Sequence, residues 1–325
     1  MRSRHMEKKS HKTRNIIILV VIVVVAIVLA FLGYGAYKYK SASNQINKAY
    51  KSAGIKKTRD TDALLNHRKP VSILLLGTDT GALDRNYKGR TDTIMVATLN
   101  PETKKMTLTS IPRDTAVNIP GYPQDSPSKI NAAYTYGSAG TAIKTVEKLL
   151  NVPIDFYALI NMGGLKEIVD QVGGVTITPT LSFSYEGYTF KKGQPTKMDG
   201  KEALSYSRMR YDDPAGDYGR TMRQRQILQA IAGKGASVSQ LMNNDFISSI
   251  AKSSQTDLSS SDLTKLAAGY REHGDFVDNH LQGENQMIAN SAMQVPTESQ
   301  LQQTTNFIRK NLGLPAAKTG SAAYH

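Results

Sequence analysis

The chain has no cysteine and no tryptophan in its 325 residues. Without cysteine there is no disulfide, no thiolate metal site and no cysteine nucleophile. That absence is compatible with either side of a membrane. Histidine is scarce, at six residues, and no H-E-x-x-H motif occurs. G-x-S-x-G and G-x-x-x-x-G-K-[ST] are missing too, which removes the common zinc peptidase, serine hydrolase and P-loop readings. His273 and His280 fall in one polar stretch and read as solvated. No internal repeat is present. Acidic residues are also few, 27 against 41 Lys and Arg, for a net charge of +14.

Arg2, Arg4, Lys8, Lys9, Lys12 and Arg14, set against Glu7, account for +5 of that charge and leave +9 on the rest. A basic body suits an anionic partner such as a phosphate-bearing lipid, an acidic polymer or nucleic acid. Residues 16–32 form an unbroken apolar run of 17 residues, extended by Gly33 to Tyr37. This is long enough to span a bilayer and too long for the apolar region of a cleaved signal peptide. The basic flank precedes it, so the N-terminus is expected in the cytoplasm and everything after the span outside.

The chain is therefore expected to divide into a cytoplasmic basic tail (1–15), a transmembrane helix (16–37), an extracellular stalk (38–69), a catalytic domain (70–312, with its motifs in 70–232) and a flexible C-terminal tail (313–325). Val71 to Leu76 reads as a buried central strand. Residues 93–99 and 106–111 read as a hairpin around Asn100-Pro101. Residues 139–150, 164–172 and 219–232 carry apolar side chains at helical spacing, and Phe183 to Phe190 reads as a hairpin turning at Gly187. Helices are also expected at 238–250, 261–270 and 297–312. Strands alternating with helices predict an α/β fold, a central mixed sheet flanked by helices on both faces.

Two aspartates stand at strand ends. Asp79 follows the first strand and Asp92 precedes the second, where α/β folds place their sites. Paired carboxylates there suit a hard divalent cation bridging phosphate oxygens. Taken singly, each reads better as a turn or cap residue. Arginines gather in the same way: Arg90 beside Asp92, Arg113 after the third strand, and Arg208 and Arg210 two apart, on one face if that stretch is extended. Arg220, Arg223 and Gln224 open the long helix, where the N-terminus adds its own donors to an anion site. Guanidinium groups grip phosphate bidentately. A surface salt-bridge lattice explains any one of them equally well; together, beside two carboxylates, they point to a metal-assisted pyrophosphate site.

Six motifs in order carry a family resemblance: Leu76-Gly77-Thr78-Asp79, Gly89-Arg90-Thr91-Asp92-Thr93, Ser110-Ile111-Pro112-Arg113-Asp114, Lys129-Ile130-Asn131-Ala132-Ala133, Gly163-Gly164-Leu165, and Ser207-Arg208-Met209-Arg210-Tyr211 continuing into Arg220-Thr221-Met222-Arg223-Gln224-Arg225-Gln226. The chain resembles the LytR-CpsA-Psr family over about 70–232, and its single preceding span with a basic tail is similar too. The resemblance implies transfer of a glycopolymer from a polyprenyl-pyrophosphate carrier onto peptidoglycan, at the outer face of the cell membrane. It implies Mg2+ on Asp79 and Asp92, and pyrophosphate on Arg90, Arg113, Arg208, Arg210, Arg220 and Gln224. It also implies an apolar tunnel for the prenyl tail, which ordinary core packing of the same residues would equally explain. Arg113 and Asp92 are the expected catalytic pair, with Asp92 a candidate acceptor for the hydroxyl proton. The partners expected are the lipid-linked glycopolymer, the peptidoglycan acceptor and membrane lipid, and no nucleic acid. Two rivals remain at this stage: a pyrophosphatase using the same residues without transfer, and a membrane-bound DNA-binding regulator, against which stand the absence of a helix-turn-helix signal and the expected topology.

Overall fold

A computed structural model describes residues 49–78, 89–210, 212–233, 254–270, 275–321, 323 and 324. The apolar run 16–32, Asp79 and the expected helix 238–250 lie outside the described residues. No helix among the described residues is long and apolar enough to cross a membrane.

In chain order the elements are α1 (Thr61–Asn66), β1 (Val71–Thr78), β2 (Thr91–Asn100), β3 (Lys105–Ser110), β4 (Ala116–Val117), β5 (Ser128–Lys129), α2 (Ala132–Leu150), β6 (Phe156–Asn161), α3 (Met162–Gln171), β7 (Val175–Ile177), β8 (Phe183–Tyr185), β9 (Tyr188–Phe190), β10 (Thr196–Met198), α4 (Gly200–Arg208), α5 (Asp217–Gly233), β11 (Ser254–Thr256), α6 (Ser260–Gly269), β12 (Asp275–His280), β13 (Glu284–Ile288), β14 (Ser291–Val295) and α7 (Glu298–Asn311).

Six strands make the central sheet in the order β11-β6-β1-β2-β3-β12. It is mixed: β1 runs parallel to β6 and antiparallel to β2, and β12 runs parallel to β3. The apolar run of β1 belongs where it sits, between two partners and covered on both faces. Its residues alternate. Leu74 and Leu76, with Ile94, Val96, Tyr157 and Leu159, pack on Ile143, Val146 and Leu150 of α2 and on Leu301 and Ile308 of α7. On the other face Met95, Ala97 and Leu108 meet Leu228 of α5, and Val71, Leu99 and Phe156 meet Leu65 of α1 and Leu263 and Leu266 of α6. Each such side chain stabilises the fold by about 1.5–3 kcal/mol when fully buried. A smaller apolar cluster (Val169, Val175, Phe183, Phe190, Met198, Tyr206 and Ile227) joins α3, α4, α5 and the short strands β7 to β10. The β8–β9 hairpin turns through Glu186 and Gly187 at φ 48° and 83°, the left-handed pair that a two-residue hairpin loop needs.

Three expectations change. Residues 49–69, within the stretch read as a stalk, are packed on the domain. Lys51 N–H donates to the Thr256 carbonyl at 2.8 Å, and Leu65 is buried. The Arg59 guanidinium pairs with Asp155, which is 1% exposed. Charge masked this contact in the sequence, because an ion pair leaves no apolar periodicity. The tail after Gly313 is docked too: Gly320 and Ser321 N–H groups donate to the carbonyls of Leu149 and Lys148 at 3.1 and 2.8 Å, and Ala323 is buried. Finally, residues 275–295 form three strands. His280 therefore ends β12 of the sheet rather than lying in a loop, and it is exposed there as expected.

Candidate active site

The C-terminal end of β1 meets the start of β2 at a bulge. Gly77 pairs with Thr93 and Thr78 with Thr91, so Asp92 is the extra residue. A bulge re-aims the side chain it carries. Gly77 is needed here, because a Cβ on it would lie 2.8 Å from Thr93 Cβ. Thr93 in turn donates its hydroxyl proton to Gln224 Oε1 at 2.8 Å, which ties the bulge to α5.

Arg113 follows β3 and reaches Asp92, with which it forms an ion pair and hydrogen bond. Its Nε also lies 3.5 Å from Asp217 Oδ1 and 3.8 Å from Asp114 Oδ2. Asp114 is held by Lys129 Nζ at 2.8 Å. That lysine comes from β5, which pairs with β4 and brings the 129–133 motif alongside the 110–114 motif. Asp217 sits in the first turn of α5, a favourable place for a negative charge. Arg220, one turn further on, approaches Asp217 Oδ1 at 2.6 Å and the Asp92 carbonyl at 3.5 Å.

These groups are largely withdrawn from water, with side chains 11% exposed for Asp217 and Arg220 and 17% for Arg113. Yet Arg113 Nε and Arg220 Nε are buried donors without a well-formed hydrogen bond. Such atoms are costly unless a ligand satisfies them. Burial, the largest influence on Arg113, pulls its pKa down, but Asp217, Asp92 and Asp114 outweigh it and the net shift is upward. For Arg220 burial leads again. Asp217 opposes it, the charges of Arg113 and Arg210 reinforce it, and the net shift is downward. Arg220 is thus a guanidinium under-compensated by its surroundings, at a helix N-terminus.

The structure brings Asp92, Arg113, Arg220 and Gln224 together, with Arg210 close enough to act on Arg220 electrostatically. Arg90 is exposed at the entrance to β2. Arg208 is not in an extended stretch: it ends α4, and its Nη1 lies 3.6 Å from Glu186 Oε1. Arg223 is a structural residue, 1% exposed, bound to Asp213 and to the carbonyls of Tyr206 and Met209. Asp217 and Asp114 were missed by the sequence reading, although Asp217 stands three residues before Arg220, the spacing of a helical ion pair. A hard divalent cation takes carboxylate and phosphate oxygens. Asp92 has that chemistry and position, while Asp79 is outside the described residues. Among the described residues no group of three or more His, Cys, Asp or Glu is placed to hold a metal ion.

Fold and site define a class: a mixed α/β protein whose polar centre is a buried arginine–carboxylate lattice at a bulge and a helix N-terminus, suited to a phosphate-rich anion. The chain belongs to the LytR_cpsA_psr family, whose sequence pattern it matches over residues 33–310. It is 40% identical to the Enterococcus faecalis polyisoprenyl-teichoic acid–peptidoglycan teichoic acid transferase TagU, across 93% of this chain and 98% of that protein. A Streptococcus agalactiae protein of solved structure is 33% identical, with a TM-score of 0.72, covering 83% of this chain and 96% of the other. TagT bound to LIIa-WTA is 26% identical, with a TM-score of 0.66, covering 81% of this chain and 98% of that one.

Proposed function

We propose that this protein transfers a teichoic-acid-like glycopolymer from a polyprenyl-pyrophosphate carrier to a peptidoglycan hydroxyl, at the outer face of the membrane that residues 16–37 span. One observation carries the reading: Arg113 and Arg220 both present buried, unsatisfied Nε donors at one centre, in a chain 40% identical along nearly its whole length to a transferase of that description.

In the reaction the acceptor hydroxyl oxygen bonds to the phosphorus that bears the glycan. The P–O bond of the anhydride breaks, and polyprenyl phosphate leaves with the bonding electrons. Arg113 and Arg220 stabilise charge growing on that leaving group, in a site where their own reorganisation is limited by Asp92 and Asp217. Asp92 is the candidate to take the hydroxyl proton. Bound Mg2+, held by Asp92 and Asp79 with phosphate oxygens, would neutralise further charge on the anhydride. Arg90, Arg208 and Arg210 would help to recruit the anionic carrier by their charge.

The test is product analysis with purified protein, a polyprenyl-pyrophosphate-linked glycan and a peptidoglycan fragment. A phosphodiester-linked conjugate, formed with release of polyprenyl phosphate and suppressed by chelator, is the expected result. Release of polyprenyl phosphate and free phosphoglycan, with no conjugate, would establish the pyrophosphatase instead; full turnover in excess chelator would remove Mg2+. A reporter fused after His325 should be active outside the cell, and cytoplasmic activity would sink the topology.

A further inference from the structure

After α7 the chain stays on the domain and crosses it. Arg309 Nε donates to the Pro315 carbonyl at 2.7 Å, Gln302 Nε2 to that of Ala317 at 2.8 Å, and Asn151 Nδ2 to that of Lys318 at 2.7 Å. The N–H groups of Gly320 and Ser321 then take up carbonyls in the last turn of α2, which a helix leaves unpaired by itself. Beyond that cap the chain runs on to β4. Ala323 bridges Val117 in the antiparallel sense, and the Tyr324 N–H approaches the Ala116 carbonyl at 3.4 Å. Ala323 is buried, and Tyr324 packs on Ala116, Ile288 and Met293.

We propose that Ala323 and Tyr324 are positioning residues for the reaction, acting through β4 on Arg113. The inference rests on the function proposed above and adds a remote element to it. β4 is only two residues long and begins three residues after Arg113. One of its edges pairs with β5, where Ala116 faces Lys129, the lysine that holds Asp114. On that side the Ile130 N–H also donates to the Thr115 carbonyl at 2.8 Å, and the Asn131 N–H to the Arg113 carbonyl at 3.2 Å. The other edge is closed by Gln294, which bridges Thr115, and by Ala323. Two short strands without a third partner are marginal, so the tail completes the platform from which Arg113 projects. Capping α2 accounts for the chain as far as Ser321 and gives no reason for it to continue to β4. Arg113 must face Asp92 and a ligand at once, and a misplacement of about 1 Å in such a group costs up to about a hundredfold in rate.

The test deletes residues 322–325, which keeps the cap on α2 and every bond from α7, and measures affinity for inorganic pyrophosphate by titration well below Tm. The deletion should weaken binding about tenfold, the loss of one charge-assisted contact. In an Arg113→Ala background the same deletion should cost less than about twofold, because residues that act through one another are not additive. Arg309→Ala loosens the other end of the tail, at Pro315 and Asn151; it should lower Tm and leave affinity within about twofold of wild type. Tyr324→Ala keeps the backbone bridge and should weaken binding about threefold; it decides the question if the deletion does not fold. Wild-type affinity in the folded deletion, or in Tyr324→Ala where the deletion does not fold, would overturn the inference. So would an undiminished loss in the Arg113→Ala background, or an equal loss in Arg309→Ala, since the tail would then act on stability alone. All of these leave the transferase reading standing. Wild-type protein that does not bind pyrophosphate removes that reading, and the role of the tail with it.

Discussion

Asp217→Asn removes one charge and almost no volume from the middle of the site, and its consequences are opposed in sign. The carboxylate lies 2.6 Å from Arg220 and 3.5 Å from Arg113. Removing one partner of a fully buried ion pair costs about 3–5 kcal/mol. Here the side chains keep 11–17% exposure and Arg113 retains Asp92, so a cost of about 2–3 kcal/mol is appropriate. For a domain of this size each kcal/mol lowers Tm by about 2–4 °C, which puts the fall at about 4–12 °C. A bound pyrophosphate supplies the missing negative charge. The variant should therefore gain more Tm than wild type when polyprenyl pyrophosphate is added, because a tighter ligand stabilises more at equal concentration. Turnover should nevertheless fall, since the two guanidinium groups lose the carboxylate that aligns them. Thermal melts with and without the lipid, alongside single-turnover transfer, read all three quantities. An unchanged Tm, or a ligand-induced rise smaller than that of wild type, would refute the view that Asp217 holds the place of an anion.

Arg210→Ala should slow transfer by about 10-fold to 100-fold, because its charge acts on Arg220 at the centre; wild-type single-turnover rates would place it outside the site. Gly77→Val should displace Thr93 and with it the Asp92 bulge, so that turnover falls even in the folded fraction, and wild-type activity would count against the bulge. Arg59→Ala leaves Asp155 buried with only the N–H and hydroxyl of Ser72 as donors among its described contacts; urea unfolding should show a loss of about 3 kcal/mol, and a neutral result would mean that the 49–69 segment is a passive tether. The His280 pKa is depressed in the folded state. Its contribution to stability is complete above the unfolded value of about 6.5 and is lost as pH falls through the folded value. Between pH 7 and 5 the stability of His280→Gln should therefore fall less steeply than that of wild type; parallel slopes would place the proton elsewhere.

The sheet was legible because its strands obey simple rules. Val71 to Leu76 is apolar without interruption and becomes the strand buried on both faces, and Asn100-Pro101 punctuates the β2–β3 hairpin. Of the residues singled out at element ends, Asp92, Arg113, Arg220 and Gln224 converge in the structure. Asp217 was harder to see, since an acidic residue in a first helical turn is ordinarily a dipole partner, and only the fold brings Arg113 to it from β3. The strands after residue 274 were opaque for a different reason. In β13 four of five residues are exposed, so no alternation marks it, and its pairing with β14 rests on backbone hydrogen bonds. Arg59 and Asp155, 96 residues apart, show the same limit for ion pairs: nothing local in either segment announces the other.

The balance of charge at the centre also bears on which anions it admits. Arg113 and Arg220 would repel one another if buried alone, and Asp92 and Asp217 are what let them stay close without a ligand. A simple phosphate must compete with both carboxylates, and it carries less charge and spans a shorter distance than a pyrophosphate. A pyrophosphate presents enough oxygens to engage Arg113, Arg220 and the helix N-terminus together, so it meets the unsatisfied Nε atoms and compensates both cations. Selectivity for the anhydride over orthophosphate then follows from competition inside the site. Isothermal titration should find orthophosphate binding at least tenfold weaker than inorganic pyrophosphate in wild type. The gap should narrow in Asp217→Asn, where one competitor has been withdrawn. Equal affinities in wild type, or a gap that widens in the variant, would show that the carboxylates play no part in choosing the ligand.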